Sequence, residues 1–88
     1  MEDYPARSGA EKSLLDAVLA VYRHVLDDPG VSPDDDFFEL GGDSFQAMDI
    51  MAALEKTTGK QINPGVIFVF PTAAGLAKAI TNIADASS

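Results

Sequence analysis

A serine in the middle of the chain carries the clearest chemical signal. Ser44 follows Gly41, Gly42 and Asp43, and the residues after it predict the start of a helix. Such a position gives an exposed hydroxyl on a rigid element. Capping the helix is the commonest role for a serine there, but Asp43 can cap the helix itself. Ser44 is therefore a candidate either for nucleophilic chemistry or for modification by another enzyme.

The hydrolase interpretation lacks its other parts. A nucleophile elbow has the pattern Gly-x-Ser-x-Gly and needs a base, an orienting acid and an oxyanion hole. Gln46 stands where the second glycine should be, and the only histidine, His24, falls on the polar face of a predicted helix. A serine modified by a separate enzyme is the better hypothesis.

An aspartate-rich segment before this serine suggests calcium at first sight. If the EF-hand frame starts at Asp28, Glu39 takes the twelfth position, but Gly30 and Pro33 take the third and sixth. Frames from Asp34 or Asp36 place apolar residues among the ligands. We therefore expect a solvated acidic loop and no metal site.

Size and composition narrow the function classes. The 88 residues include no cysteine, carry a net charge of −8 and are 47% hydrophobic. This predicts one small folded domain without a deep active site, a disulfide or a thiolate nucleophile of its own. The negative charge disfavours nucleic acid and favours partners with basic surfaces. No apolar run reaches the length of a membrane span, about 20 residues, and no signal peptide is evident, so we expect a cytoplasmic protein without membrane contact.

The first predicted helix covers about residues 10–27. Ser8 and Glu11 form a capping box at its start, in which the serine caps the helix and the glutamate reaches back. A spacing of 100° per residue gathers its apolar side chains on one face: Leu14, Leu15, Val18, Leu19, Val21, Tyr22, Val25 and Leu26.

The second predicted helix begins at Ser44 and ends at Gly59. Asp43 is its expected N-cap, with Gln46 completing a capping box, and Gly41-Gly42 is expected to loosen the backbone before it. The core face should hold Ala47, Ile50, Met51, Leu54 and Thr58. Another side carries Ser44, Phe45, Met48, Ala52 and Glu55.

The remaining chain predicts a long ordered loop and two further helices. Residues 27–43 form the loop, and its apolar anchors are Phe37, Phe38 and Leu40. The stretch between Pro64 and Pro71 could be a strand by composition, but it has no partner strand, so we expect a short helical turn. A last helix should start after Thr72 and bury Leu76, Ile80 and Ile83. The predicted fold is all-α, a small four-helix bundle of three main helices and one short helix.

Two segments together resemble a known family. The first is Asp36-Phe37-Phe38-Glu39-Leu40-Gly41-Gly42-Asp43-Ser44 at a helix start, and the second is Phe68-Val69-Phe70-Pro71-Thr72 before the last helix. The chain resembles the peptidyl carrier proteins of nonribosomal peptide synthesis over about residues 14–83. The resemblance implies an acyl-carrier-protein-like fold.

The resemblance also implies a cofactor. Ser44, flanked by Gly41, Gly42 and Asp43, would be the covalent attachment site for 4′-phosphopantetheine, which a phosphopantetheinyl transferase takes from coenzyme A. The arm would carry an aminoacyl or peptidyl group as a thioester. The carrier would catalyse nothing itself, and its partners would include an adenylation enzyme and downstream condensing or tailoring enzymes.

A docking surface is expected beside the serine. Phe45, Met48 and Ala52 share its side of the second helix, and Asp49 adds charge for basic partners. Val69 and Phe70 stand where the family commonly has polar residues, so they either enlarge this surface or belong to the core. Phe45 and Met48 have the same two alternatives.

Two other functions compete with the peptidyl carrier. One is an acyl carrier protein of a polyketide or fatty-acid pathway, and the other is a helical adaptor without a covalent cofactor, in which Ser44 only caps a helix. Residues 1–9 are expected to be a flexible arm, residues 10–84 the carrier domain, and residues 85–88 a frayed tail. We expect a monomer, either freestanding or part of a synthetase.

Overall fold

Four helices make up the secondary structure of the part of the chain that is described. The computed structural model describes the backbone of residues 6–83 and the side chains of residues 14–83. The helices are α1 (Ala6–Leu26), α2 (Ser44–Thr58), α3 (Val66–Val69) and α4 (Ala73–Thr81). Within residues 6–83, β pairing is limited to one isolated bridge between Asp36 and Thr72. The all-α prediction of three main helices and one short helix is confirmed.

The start of α1 differs from the prediction. The helix begins at Ala6 rather than at residue 10, so Ser8 lies inside it and cannot be its N-cap. Pro5 directly precedes Ala6 in the sequence, and proline is favoured at helix starts because its fixed φ suits the helix and its missing N–H is not needed there. The capping box of Ser8 and Glu11 was therefore the wrong start signal. Residues 1–5 and the predicted frayed tail lie outside the described residues, and the domain limits stay predictions.

The end of α1 is fixed by a left-handed aspartate. Asp27 has a φ of 53°. Its N–H donates to the His24 carbonyl at 3.3 Å, and the Asp28 N–H donates to the Arg23 carbonyl at 3.0 Å. This pair of bonds is a Schellman motif, which satisfies carbonyls that the last helical turn leaves free.

The core lies where α1 packs against α2 and α4. The predicted apolar faces are confirmed at their centres, which are buried, while Thr58, Ile83 and the flanks of α1 are partly buried. The buried positions from the three main helices are Val18, Leu19, Tyr22, Ala47, Ile50, Met51, Leu54, Leu76 and Ile80. No described helix is long and apolar enough to cross a membrane.

Connecting segments also supply core residues. Val31 and Ile62 are buried although neither belongs to a helix. The Arg23 guanidinium donates to the Val31 carbonyl through two nitrogens, at 2.8 and 3.1 Å. The Glu55 carboxylate accepts the Ile62 N–H at 2.8 Å. Side chains on α1 and α2 thus hold the two long connections against the bundle.

The C-terminal helices match the prediction. α3 is one turn between Pro64 and Pro71, and it buries Ile67. Thr72 is the N-cap of α4, and its hydroxyl accepts the Gly75 N–H at 3.0 Å.

Candidate functional site

The segment that leads to Ser44 is a single capped helical turn. The Asp36 carboxylate accepts the N–H groups of Phe38 at 2.8 Å and Glu39 at 3.2 Å, which caps the start of the turn. At its end, the N–H of Gly41 donates to the carbonyl of Phe38, and the N–H of Gly42 donates to that of Phe37, both at 3.1 Å. This is a second Schellman motif. The segment has a defined conformation, so the expectation that Gly41-Gly42 loosens the backbone is wrong.

The two glycines are needed for different reasons. Gly41 has a φ of 101°, which side chains disfavour. A Cβ atom on Gly42 would lie 2.3 Å from a ring carbon of Phe37. That ring is fully buried and packs against Tyr22 and Phe38, with centroid distances of 5.3 and 5.1 Å. Gly42 therefore lets the backbone pass directly over the core just before Ser44.

A carbonyl near α4 anchors the capped turn to the bundle. The Pro71 oxygen accepts both the Tyr22 hydroxyl at 2.9 Å and the Phe37 N–H at 3.1 Å. The bridge between Asp36 and Thr72 lies beside it. Burial, and secondly the negative charge of Asp36, raise the pKa of the Tyr22 hydroxyl well above its usual range. Tyr22 therefore stays a neutral donor in the folded protein.

Ser44 is the first residue of α2 and is exposed. Its side chain is not used for capping, since the Asp43 carboxylate accepts the Gln46 N–H at 2.8 Å. The Gln46 side-chain oxygen accepts the Asp43 N–H at 3.1 Å in return. The predicted capping box is confirmed, as is the left-handed Gly59 at the other end of the helix, with a φ of 72°.

The helix start suits an anion on the Ser44 oxygen. In the described part of the chain, the N–H groups of Ser44 and Phe45 have no protein acceptor, and no acidic side chain lies in the first turn of α2. Free amides and the positive end of the helix dipole stabilise a phosphate group at such a place. A phosphodiester on Ser44 therefore fits the site.

The groups needed for a hydrolase are not assembled around Ser44. His24 is exposed and lines a groove between α1 and α2, and Ser44 is not among the residues that line this groove. Within residues 14–83, no three His, Cys, Asp or Glu side chains are grouped so that they could hold a metal ion. Three of the loop aspartates, Asp28, Asp35 and Asp36, instead accept backbone N–H groups of the loop.

The side chains predicted to meet partners are exposed. Phe45 is 84% exposed, Val69 69%, Phe70 44% and Met48 38%. The choice between core and surface is thereby decided for all four residues. Asp49 and Ala52 are exposed as well.

Sequence reasoning missed two members of this surface. Phe68 is 49% exposed and stacks on Phe38 with a centroid distance of 5.2 Å. Leu40 was expected to anchor the loop but is 36% exposed, whereas Phe37 is buried and Phe38 is half-buried. Its place at the end of the capped turn directs it away from the core. We call Leu40, Phe45, Met48, Phe68, Val69 and Phe70 the exposed apolar surface.

Comparison with known proteins agrees with this site. A family model described as "Phosphopantetheine attachment site" matches residues 14–80. A dimodular nonribosomal peptide synthase of Bacillus subtilis (strain 168) is 38% identical over 72 residues, which is 82% of this chain and 3% of the relative. Enterobactin synthase component F of Shigella flexneri is 36% identical over 70 residues, 80% of this chain and 6% of the relative.

A third relative belongs to a different kind of biosynthetic protein. The dapdiamide synthesis protein DdaD of Enterobacter agglomerans is 40% identical over 52 residues, which is 59% of this chain and 9% of the relative. The chain thus spans less than a tenth of the length of each of these three relatives. Because the family model matches most of the chain, including the capped turn and Ser44, the chain belongs to the phosphopantetheine-attachment-site family of carrier domains, whose members bind 4′-phosphopantetheine covalently.

Proposed function

We propose that this chain is an aminoacyl or peptidyl carrier of nonribosomal peptide-type biosynthesis, with Ser44 as its attachment site. The observation that carries the proposal is the division of labour at the start of α2. Asp43 and Gln46 satisfy each other, and the Ser44 hydroxyl stays exposed on the first residue of the helix.

The reaction expected at Ser44 is a phosphoryl transfer. The Ser44 oxygen forms a bond to the β-phosphorus of coenzyme A, the bond from that phosphorus to the oxygen bridging the two phosphates breaks, and adenosine 3′,5′-bisphosphate leaves. The serine proton goes to a base of the transferase, and the magnesium ion that the reaction uses is also bound there. The attached group supplies a terminal thiol on which an amino acid is carried as a thioester, although the chain has no cysteine.

The chain's own residues present the serine and stabilise the product. The capped turn holds Gly42 over Phe37 and fixes where α2 begins. The free amides of Ser44 and Phe45 lie next to the new negative charge. Ser44 lies outside any enclosed cavity, so a partner enzyme can approach it directly.

We further propose that partner enzymes dock beside Ser44. The transferase, the adenylation enzyme and the condensing or tailoring enzymes would contact Phe45, Met48, Asp49, Ala52, Val69 and Phe70. The exposed apolar side chains supply area that is buried in a complex. The net charge of −8 favours basic partners and speeds their approach. Modification and loading should therefore become slower as salt is raised, because salt screens this attraction.

The attachment is tested by mass. The protein is incubated with coenzyme A and a promiscuous phosphopantetheinyl transferase, and the intact mass is measured. We expect the mass gain of one phosphopantetheine in the native protein and in Ser32→Ala, which changes a serine of the same loop, and no gain in Ser44→Ala. If the native protein gains no mass, or Ser44→Ala gains as much, Ser44 does not carry the arm and the helical adaptor becomes the better account.

The cargo class is tested by loading. The holo form should accept an amino acid from an adenylating enzyme and ATP, with loss of AMP and formation of a thioester. Acceptance of a malonyl group from a malonyl transferase, without aminoacylation, would favour the acyl carrier of a polyketide or fatty-acid pathway. A cytoplasmic location and a monomeric state stay predictions.

A further inference from the structure

A groove between α1 and α2 is not used by the site described above. Its volume is about 630 Å³, and its apolar lining includes Val21 and Val25 from α1 and Ala53 from α2. Three polar side chains, His24, Gln46 and Asp49, line the same groove. This size lies within the range of small-molecule sites, about 300–1,000 Å³, and apolar walls with a few polar groups are typical of them.

The groove lies within reach of a group attached to Ser44. At a rise of about 1.5 Å per residue, Asp49 is about 8 Å and Ala53 about 14 Å along α2 from Ser44. At 100° per residue, Phe45 and Asp49 lie between Ser44 and the groove around the helix, and both are exposed. A long flexible arm that starts at Ser44 can therefore cross this open side of α2 and enter the groove.

The groove is open towards the serine at one end because of how Gln46 is held. Its side-chain oxygen accepts the Asp43 N–H, and its side-chain nitrogen donates to the Val25 carbonyl at 3.4 Å. Gln46 thus joins the start of α2 to the last turn of α1 and forms the wall of the groove nearest to Ser44. Its position is fixed by the same capping box that presents the serine.

The chemistry of the lining matches an aminoacyl group on such an arm. An aminoacyl thioester carries a free ammonium group, for which the Asp49 carboxylate is a complementary partner. The arm itself has methyl groups and amides, which suit the valines and the polar side chains respectively.

We propose that the groove between α1 and α2 receives the aminoacyl end of the chain's own arm between reactions, with Asp49 contacting the ammonium group. The inference rests on the proposed attachment at Ser44. Cargo held in this way would be sheltered from water, and it would have to leave the groove before it reaches a partner enzyme.

The test compares four forms of the protein by nuclear magnetic resonance. The apo form, the holo form, an L-alanyl form and an N-acetyl-L-alanyl form are prepared with the transferase from the corresponding coenzyme A derivatives, and each mass is checked. We expect chemical-shift changes at Val21, Val25 and Ala53 in the alanyl form, with nuclear Overhauser contacts from the alanyl methyl group to the valine methyl groups. N-acetylation removes the positive charge and should abolish the change at Asp49.

Two pairs of variants separate docking from general effects. Ala53→Leu fills the groove and should lose the shift changes at both valines, whereas Ala52→Leu adds the same atoms on another side of α2 and should keep them. Asp49→Asn should lose the difference between alanyl and N-acetyl-alanyl forms, whereas Glu39→Gln, a similar charge change nearer to the serine in sequence, should retain it.

The failures of the two proposals can be told apart. A protein that gains no mass refutes the attachment at Ser44. A protein that is fully loaded but shows shift changes only at residues 43–48 overturns the groove proposal and leaves the carrier function standing. Equal shifts for the alanyl and N-acetyl-alanyl forms would overturn the role of Asp49.

Discussion

Replacing Gly42 by alanine should destabilise the protein more than any other glycine-to-alanine change in the loop with ordinary backbone angles. The new Cβ would lie 2.3, 2.4 and 2.7 Å from three carbons of the Phe37 ring. Carbon atoms in contact prefer about 3.5–4.0 Å, so the ring or the backbone must move by more than about 1 Å. The ring is fully buried against Tyr22, and the backbone is held by the bond from Gly42 to the Phe37 carbonyl.

The size of the effect follows from the cost of overpacking. Extra atoms in a packed core cost about 1–3 kcal/mol, and the closeness of this contact places Gly42→Ala in the upper half of that range. For a domain of this size, 1 kcal/mol corresponds to about 4–8 °C in Tm, so we expect a decrease of about 10–20 °C. The rate of modification of Ser44 should also fall, because the displaced turn determines where α2 begins.

The assay is urea unfolding followed by circular dichroism, with Gly30→Ala as the matched control. Gly30 is an exposed loop residue where the added Cβ meets only the Asp28 side chain, at 3.3 Å, so its change should cost less than about 0.5 kcal/mol. The double variant with Phe37→Leu should be more stable than the sum of the single changes predicts, by at least about 1 kcal/mol, because the smaller side chain relieves the contact. Equal stability of the two glycine variants, or strict additivity in the double variant, would refute the steric explanation.

Three other changes have defined outcomes. Tyr22→Phe removes the bond to Pro71 and should cost about 1 kcal/mol at pH 7. Since the Tyr22 pKa is raised on folding, the stability from its neutral form is complete below the unfolded pKa of about 10 and is lost as pH rises further. The gap between native protein and variant in urea unfolding should therefore narrow above about pH 10, and a constant gap would contradict this. Asp27→Gly should raise the stability by about 1 kcal/mol, since the left-handed φ of 53° suits glycine and a negative charge leaves the helix C-terminus; a lower Tm would count against it. Asp43→Ala should cost about 1 kcal/mol and speed amide exchange at Gln46, whereas Asp43→Asn should keep most of the cap; equal exchange in the two variants would show that the cap contributes little.

The features that could be predicted from sequence are local ones. The start and end of α2 depend on Asp43, Gln46 and Gly59, whose effects act within one helical turn. The cap of α4 by Thr72 is of the same kind. Such signals need no knowledge of the fold because the donor and the acceptor lie three or four residues apart.

Features that depend on the folded chain were missed. The requirement for glycine at position 42 comes from the Phe37 ring, whose burial depends on α1 and on Pro71. Burial of Val31 and Ile62 likewise requires Arg23 and Glu55 on other elements. The capped turn itself had a readable signal, because Asp36 and Gly41 are typical of a helix N-cap and a left-handed C-terminal residue.

The shared Pro71 carbonyl has a consequence for how the chain acquires its structure. The bond from Tyr22 to Pro71 joins residues 49 positions apart. The turn before Ser44 cannot be fastened until the ribosome has delivered the last third of the domain and α4 has docked, since contacts of large sequence separation close late. A nascent or truncated chain would therefore show its serine on an unanchored loop. Attachment of the arm would then report that synthesis and folding of the domain are complete, and incomplete copies would stay unloaded.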